Sequence, residues 1–321
     1  MSEILEIAQV ISRLLKAQNI LLLCHKNPDG DTLGSASALC AALQQMGKTV
    51  AILCADAISS RYAYMEIPLF HEEFKPEYIV AVDVAGIQLF GDAVAAYSAR
   101  VDLCIDHHPS NSGYADSMLL EGNAAATAEI MYDIICALGA TLTPKIANCL
   151  YTGISTDTGC FKFANTTART HEIAAKLIEA GAEVVKLNNI LFENKSRSRL
   201  AAEGMALQNL EYYFDGRCAV VCLTKEQITE TGADSTDLEG ITGIPRAIEG
   251  VQVGITMRQQ PTGSYKVSVR TEVGVDASAI CAHLGGGGHK QAAGCEILGS
   301  TENAKSALLA EVEKALPPQT A

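Results

Sequence analysis

Apolar residues fall into short, nearly continuous blocks along the first third of the chain. Ile20-Leu21-Leu22-Leu23-Cys24, Thr49 to Cys54, Tyr78-Ile79-Val80-Ala81-Val82 and Val101-Asp102-Leu103-Cys104-Ile105 are too short for helices. Their unbroken apolar character predicts strands buried on both faces of a parallel sheet. Helical stretches separate them. Ile4, Ile7, Ala8, Ile11, Leu14 and Leu15 recur at helical spacing over residues 3–17, and Thr32 to Met46 is rich in Ala, Ser and Leu. Strands alternating with helices predict βαβ units. The stretch Ile58–Glu77, with Pro68 and Pro76, is expected to be irregular. Thr127 to Leu138, Pro144 to Tyr151 and Thr170 to Ala180 read as helices, Pro144 standing in a first turn.

From about Asn188 the pattern changes. Glu193-Asn194-Lys195-Ser196-Arg197-Ser198-Arg199 is polar and leads into a helix through about Asn209. Beyond it, Arg217 to Leu223, Val251 to Met257 and Tyr265 to Arg270 read as strands, and Asp276 to Leu284 and Thr301 to Leu316 as helices. The chain is therefore expected to be α/β, with a parallel-sheet domain over 1–187, a linker helix region over 188–209 and a smaller α/β domain over 210–321. The length of 321 residues suits two domains.

Candidate chemistry lies where the strands end. His25-Lys26-Asn27-Pro28-Asp29-Gly30-Asp31 follows the first strand, Asp83 ends the third and Asp106-His107-His108 the fourth. Alone, the first loop has a second reading, as a polar βα turn with a capping Asp. In a parallel sheet, however, all strand C-termini share one edge, where ligands bind. His25, Asp29, Asp31, Asp83, Asp106, His107 and His108 are thus expected to converge. Asp157, in Gly153-Ile154-Ser155-Thr156-Asp157-Thr158-Gly159, is read as a further metal ligand in a polar loop or as part of a helix-terminating turn. Imidazoles with several carboxylates suit Mn²⁺ or a similar ion better than Ca²⁺. So many groups suit two ions about 3.5–4 Å apart, which lower the pKa of a bridging water and neutralise a phosphoryl group. No serine or cysteine nucleophile is then needed.

Charge and cysteine content narrow the partners. The net charge of −13 argues against long duplex nucleic acid, whose binding leans on Lys and Arg. It leaves room for a small anion held by metals. The 11 cysteines include no CxxC pair, as expected of free thiols in a reducing cytoplasm. The acidic, helical N-terminus does not resemble a signal peptide, and no apolar run is long enough to span a membrane. Gly285-Gly286-Gly287-Gly288-His289-Lys290 matches neither a P-loop nor a dinucleotide-binding fingerprint. It reads as an anion-binding loop or as a hinge. Arg258 and Arg270 are candidate phosphate clamps or ordinary surface arginines.

Together these motifs resemble the DHH phosphoesterase family. His25 to Asp31, the strand-end Asp83, Asp106-His107-His108 and Asp157 match its four successive motifs. Gly285-Gly286-Gly287-Gly288-His289 with Ala292-Ala293-Gly294 is similar to its DHHA1 substrate-binding domain. The resemblance implies two manganese ions, one held by His25, Asp29 and Asp83 and the other by Asp31, Asp83, His107 and Asp157. It implies that His108 contacts the scissile phosphate and that Asp106 orients the histidines. Arg270, Gly286, Gly287, Gly288 and His289 would bind substrate from the second domain, across a cleft.

The chain looks like the compact type that hydrolyses short oligoribonucleotides to nucleoside 5′-monophosphates and dephosphorylates 3′-phosphoadenosine 5′-phosphate. The expected partners are such RNAs and small nucleotides, with no membrane, and a homodimer is compatible with the pattern. Membrane and sensory segments of the cyclic-di-AMP phosphodiesterases and the extra C-terminal domain of the RecJ exonucleases are not expected. The glycine–His motif disfavours an inorganic pyrophosphatase. A phosphodiesterase of linear or cyclic dinucleotides is the alternative enzyme, and a nucleotide-binding module without catalysis the alternative from another class. Cys160, where relatives often carry a larger or hydroxyl side chain, bears on substrate fit.

Overall fold

The computed structural model describes residues 2–234, 237–238 and 240–318, apart from the side chain of His289. The chain divides into two compact units between Asn194 and Lys195.

In the first unit the apolar blocks become strands. β1 (Glu3–Ile4), β2 (Asn19–Leu23), β3 (Thr49–Leu53), β4 (Tyr78–Val82), β5 (Leu103–Asp106) and β6 (Ser117–Leu120) form one sheet in the order β1-β6-β5-β4-β2-β3. Every pairing is parallel. Alternate residues of β2 serve opposite cores. Ile20 and Leu22 pack with the Gly30–Gln45, Thr127–Ala137 and Pro144–Asp157 helices on one face, and Leu21 and Leu23 with Phe74, Phe90 and Val94 on the other. That double burial is why the run is apolar at every position.

The strand order places a topological switch beside β2. From β2 the chain steps to β3 on one side, then crosses to β4 on the other. The loops after β2 and β4 therefore diverge, leaving a crevice at the carboxyl edge. The Gly30–Gln45 helix begins there and is buried almost all round, which explains its small residues and absence of a polar stripe. A Cβ at Gly34 would stand 2.3 Å from the Cys149 carbonyl oxygen, so glycine allows the two helices to approach this closely.

Four elements of this unit differ from the hydrophobic reading. Glu3–Ile4 is a strand on β6, and the first helix starts only at Ile7, where Gln9 Oε1 accepts the Glu6 N–H at 2.9 Å. β6 opens on Ser117, after the polar Asp116, and only Met118-Leu119-Leu120 is apolar, too short a run to register. The helix from Pro144 extends to Asp157, so Asp157 occupies its last turn and not a loop beyond it.

The second unit holds a mixed sheet. β7 (Leu210–Tyr213), β8 (Cys218–Leu223), β9 (Val253–Gln259), β10 (Tyr265–Thr271), β11 (Gly287–His289) and β12 (Ala292–Ile297) lie in the order β11-β12-β10-β9-β8-β7. Only β8 and β9 pair in parallel. One face packs on the Ala277–Ala282 and Thr301–Ala315 helices through Ile280, Cys281, Leu308 and Val312. The other takes Ala202 and Ala206 of the Arg197–Gln208 helix, which thereby belongs to this unit. β7, β11 and β12 were absent from the hydrophobic reading, and part of the glycine run is strand rather than loop. Among the described residues no helix is long and apolar enough to cross a membrane.

Candidate active site

The three strand-end motifs meet at the carboxyl edge of the first sheet. His25 Nε2 lies 3.6 Å from Asp29 Oδ1 and 3.8 Å from Asp83 Oδ2. His107 Nε2 lies 3.7 Å from Asp83 Oδ1 and 3.2 Å from Asp157 Oδ2. Ligand atoms of His25, Asp29 and Asp83 form one group, those of Asp31, His107 and Asp157 a second, and those of Asp83, His107 and His108 a third. Asp83 joins two of these groups and directs its two oxygens to different histidines.

Local structure fixes each side chain. Asp29 caps the Gly30–Gln45 helix, its Oδ1 accepting the Asp31 and Thr32 N–H groups at 3.0 and 3.2 Å. Thr32 Oγ1 donates to the Val82 carbonyl at 2.8 Å and ties that helix to the end of β4. Asp83 follows with φ +60, left-handed for a residue other than glycine, and its N–H donates to Ile105 O at 2.9 Å. Such a conformation costs about 1–3 kcal/mol, less for Asp than for most side chains, and the bonds to Ile105 O and from Thr127 Oγ1 hold it.

Asp31 is fully buried and sits at the start of the Thr127–Ala137 helix. Its Oδ2 accepts the Thr127 N–H at 2.6 Å, and its Oδ1 accepts Ala128 N–H at 2.9 Å and Ser35 Oγ–H at 3.1 Å. The helix has no side-chain cap of its own, so Asp31 supplies the anion that its N-terminus favours. Oδ2 keeps a lone pair for a further partner. Thr127 Oγ1 donates to Asp83 Oδ1 at 2.9 Å and locks that carboxylate.

The histidines are oriented from behind. Nδ1 of His25 donates to Lys26 O at 2.8 Å and Nδ1 of His107 to Ala124 O at 3.0 Å, leaving each Nε2 lone pair for the cluster. His107 Nε2 is buried without a hydrogen-bond partner. A lone pair held among carboxylate oxygens requires a second proton or a cation, and this orphaned atom with its donor set fits a divalent metal ion. Asp106 is fully buried and accepts His107 N–H at 2.9 Å, His108 Nδ1–H at 2.8 Å and Asn111 Nδ2–H at 2.6 Å. It touches no group of the cluster except through the histidines it aims. The outer edge of His108 is exposed.

Without metal, the same crowding shifts the protonation of these groups. Burial, then the Asp29 and Asp157 charges, push Asp83 up to about 7. Burial, then Asp83 and Asp157, hold Asp31 well above the usual carboxylate range. Burial opposes protonation of His25, but Asp29 and Asp83 outweigh it and lift the imidazole to about 9. His107 is lifted to about 10 by Asp157, Asp31 and Asp83, again against burial. His108 is raised chiefly by its bond to Asp106. These five shifts add positive charge or remove negative charge; Asp29 moves the other way, because burial is outweighed by His25 and the Thr32 and Asp31 N–H groups, which hold its carboxyl below the usual range.

The second unit places the remaining candidates. Arg270 is half-buried on β10, and its Nη1 donates to the Val269 carbonyl at 3.1 Å. With Gly287, Ala292, Ala293 and Gly294 it lines a groove of about 620 Å³. Arg258 is buried and stands four rungs from Arg270, since β9 and β10 pair Arg258 with Lys266 and Gly254 with Arg270. Each arginine stands next to the last residue of its own strand, and because β9 and β10 run antiparallel the two lie toward opposite ends of the pair. Gly286 and Gly288 allow close packing: a Cβ would lie 2.2 Å from Gly294 O at the first and 2.7 Å from Ala292 O at the second. Gly287 faces open space. The side chain of His289 lies outside the described residues.

Comparison with known proteins agrees with these motifs. The family model described as DHH family, N-terminal domain, matches residues 19–154, and the DHHA1 domain model matches residues 215–316. A Thermus thermophilus protein is 33% identical over 91% of this chain and 88% of its own length. The chain belongs to the DHH family. That relative is named bifunctional oligoribonuclease and PAP phosphatase NrnA, as is a Bacillus subtilis protein 25% identical over 90% of this DHH-family chain and 92% of its own. The crystal structure of an exopolyphosphatase-related protein from Bacteroides fragilis superposes with a TM-score of 0.87 at 26% identity, covering 96% of this chain and 95% of that one.

Sequence reasoning missed Thr127, Ser35 and Asn111. A helix N-terminus read at Thr127 was the available signal for the first, because such ends collect anions. Ser35 shares a helix face with Asp31 at i+4 spacing. Asn111 carried no signal, since its bond to Asp106 depends on the turn after His108.

Proposed function

We propose that this protein is a two-metal phosphoesterase, with Mn²⁺ as its working ion, that hydrolyses short oligoribonucleotides to nucleoside 5′-monophosphates and dephosphorylates 3′-phosphoadenosine 5′-phosphate. Likeness to the bifunctional oligoribonucleases along nearly the full length of both chains carries the substrate class. His25, Asp29 and Asp83 would hold one ion and Asp31, Asp83, His107 and Asp157 the other. Four carboxylates then face two divalent ions, so the charges balance. The ions, when bound, supply a water of lowered pKa and neutralise the phosphoryl oxygens.

The chain's own residues position the rest. Thr127 and the helix N-terminus keep Asp83 and Asp31 from rotating toward each other. Asp106 favours the imidazolium form of His108, whose exposed Nε2–H then donates to a phosphoryl oxygen as the phosphorus–oxygen bond to the leaving group breaks. Arg270 and the backbone around Gly286, Gly287 and Gly288, with His289, would hold a substrate phosphate in the second unit.

The test pairs three substrates with one variant. Purified protein with Mn²⁺ is given an RNA dinucleotide, a five-mer and 3′-phosphoadenosine 5′-phosphate, with Asp83→Ala alongside. All three should turn over, and the variant should fold normally and lose at least about 10³-fold in kcat. Cleavage of the dinucleotide alone would move the substrate assignment to dinucleotides. Near-normal turnover by Asp83→Ala would remove the two-metal assignment.

A further inference from the structure

Directly after Asp157 the backbone runs through Gly159, Cys160 and Phe161 with φ +56, +58 and +62. Three successive left-handed residues, two with side chains, are costly unless the surroundings impose them. Here they do. Cys160 N–H donates to Ser155 O at 2.7 Å, and the Lys162 and Phe163 N–H groups both donate to Thr158 O, at 2.9 and 3.0 Å. Asn165 Nδ2 bonds Asp157 O at 3.2 Å and Ala125 O at 2.9 Å. Phe161 stacks on His171 at 5.1 Å between centroids.

The product of this turn is an exposed aromatic ring. Phe163 is 58% exposed. Of the seven phenylalanines it alone is exposed, and the rest are buried or half-buried. Its inner face lies on Gly159, where a Cβ would come within 2.4–2.6 Å of the ring carbons Cζ, Cε1 and Cε2. Glycine therefore seats the ring as well as permitting the turn. Gly159 is two residues from Asp157, so the ring lies within roughly 12 Å of the Asp157 Cα. The turn packs Phe161 against Tyr151 and the core while it leaves the flat apolar ring of Phe163 in solvent, within that reach of a carboxylate of the cluster. The exposed Lys162 adds a cation next to it.

We propose that Phe163 is a stacking platform for a nucleobase of the substrate, a positioning residue that sets the register of the strand at the metals. A π-face accepts any base, which suits an enzyme degrading mixed short RNAs, and such stacking is worth about 1–3 kcal/mol per base. The inference rests on the oligoribonucleotide reading above.

The experiment compares Phe163→Ala, Phe163→Leu and Phe163→Tyr with wild type in saturating Mn²⁺. The substrates are an RNA dinucleotide and the same dinucleotide lacking one base. Phe163→Ala and Phe163→Leu should raise KM for the intact dinucleotide ~5- to 100-fold with kcat little changed, because the lost contact is present in ground and transition states alike. Phe163→Tyr should restore it. On the analogue abasic at the stacked position, wild type and Phe163→Ala should differ less than twofold. Melting curves show whether each variant is folded, and Leu retains the packing on Gly159 without the π-face. An unchanged KM for Phe163→Ala, full rescue by Leu, or equal losses on intact and abasic substrates at either position would overturn the stacking role. Failure of wild type to cleave any oligoribonucleotide would instead overturn the underlying function.

Discussion

Gly153 stands inside the Pro144–Asp157 helix, and the effect of adding one methyl there follows from its surroundings. In an unencumbered helix, Gly→Ala stabilises by about 1 kcal/mol. At Gly153 the new Cβ would lie 2.6 Å from Ala128 Cβ and 2.7 Å from Asp31 Oδ1. Contacts between carbon atoms are optimal near 3.5–4.0 Å. Neither neighbour moves freely, because Ala128 Cβ rides on its backbone and Asp31 Oδ1 is held by Ala128 N–H and Ser35. Overpacking of this kind costs about 1–3 kcal/mol, here toward the upper end. The net expectation for Gly153→Ala is destabilisation by about 1–2 kcal/mol, which lowers the melting temperature by roughly 2–8 °C for a unit of this size. Because the displaced atom belongs to Asp31, Mn²⁺ affinity should also fall about 10- to 100-fold. Chelator-treated protein followed by thermal melting, then calorimetric titration with Mn²⁺, reads both quantities. Gly204→Ala is the internal control: its Cβ would meet nothing within 4 Å, and it should stabilise by about 1 kcal/mol. A rise in melting temperature for Gly153→Ala, with Mn²⁺ affinity within twofold of wild type, would refute this account of the packing behind Asp31.

Asn111→Ala leaves a buried Asp106 oxygen without its 2.6 Å donor, so stability should drop by about 1–3 kcal/mol and turnover ~10- to 100-fold as His108 loses its orientation; steady-state kinetics with wild-type-like activity would exclude that role. Without metal, the protein should lose stability as pH rises. Asp83 binds its proton more tightly folded than unfolded between pH 3.8 and about 7, and His25 and His107 do so from 6.5 to about 9 and about 10. These contributions are complete below the unfolded values and vanish above the folded ones. Melting in chelator should therefore fall between pH 5.5 and 8.5 while the stabilisation by Mn²⁺ grows, and a rise in chelator over that range would contradict the charge arrangement. Gly286→Ala should unfold or shift β11 through its 2.2 Å contact with Gly294 O, whereas Gly287→Ala should leave the melting temperature within about 2 °C, since its Cβ would face open space.

The sequence by itself determined the sheet that organises the site. Strands buried on both faces must be apolar throughout, so β2, β3, β4 and β5 announced themselves. Parallel pairing then required their ends, with His25, Asp83 and Asp106-His107-His108, to share one edge. It did not reveal strands whose character comes from their neighbours. Glu3–Ile4 has two residues, β6 opens on a serine, β7 exposes Glu211 and Tyr212, β12 begins with the small residues Ala292-Ala293-Gly294, and β11 is built from glycines that pack against β12. Only the tertiary structure decided that Asp157 ends a helix, that Arg258 and Arg270 stand rungs apart, and that Asp31 completes the N-terminus of a helix almost a hundred residues away. The reason is physical. Periodicity records which face of an element is buried, but a hydrogen bond between distant elements depends on where folding brings their ends, and a polar residue such as Thr127 or Asn111 has the same local pattern whether it faces water or a buried carboxylate.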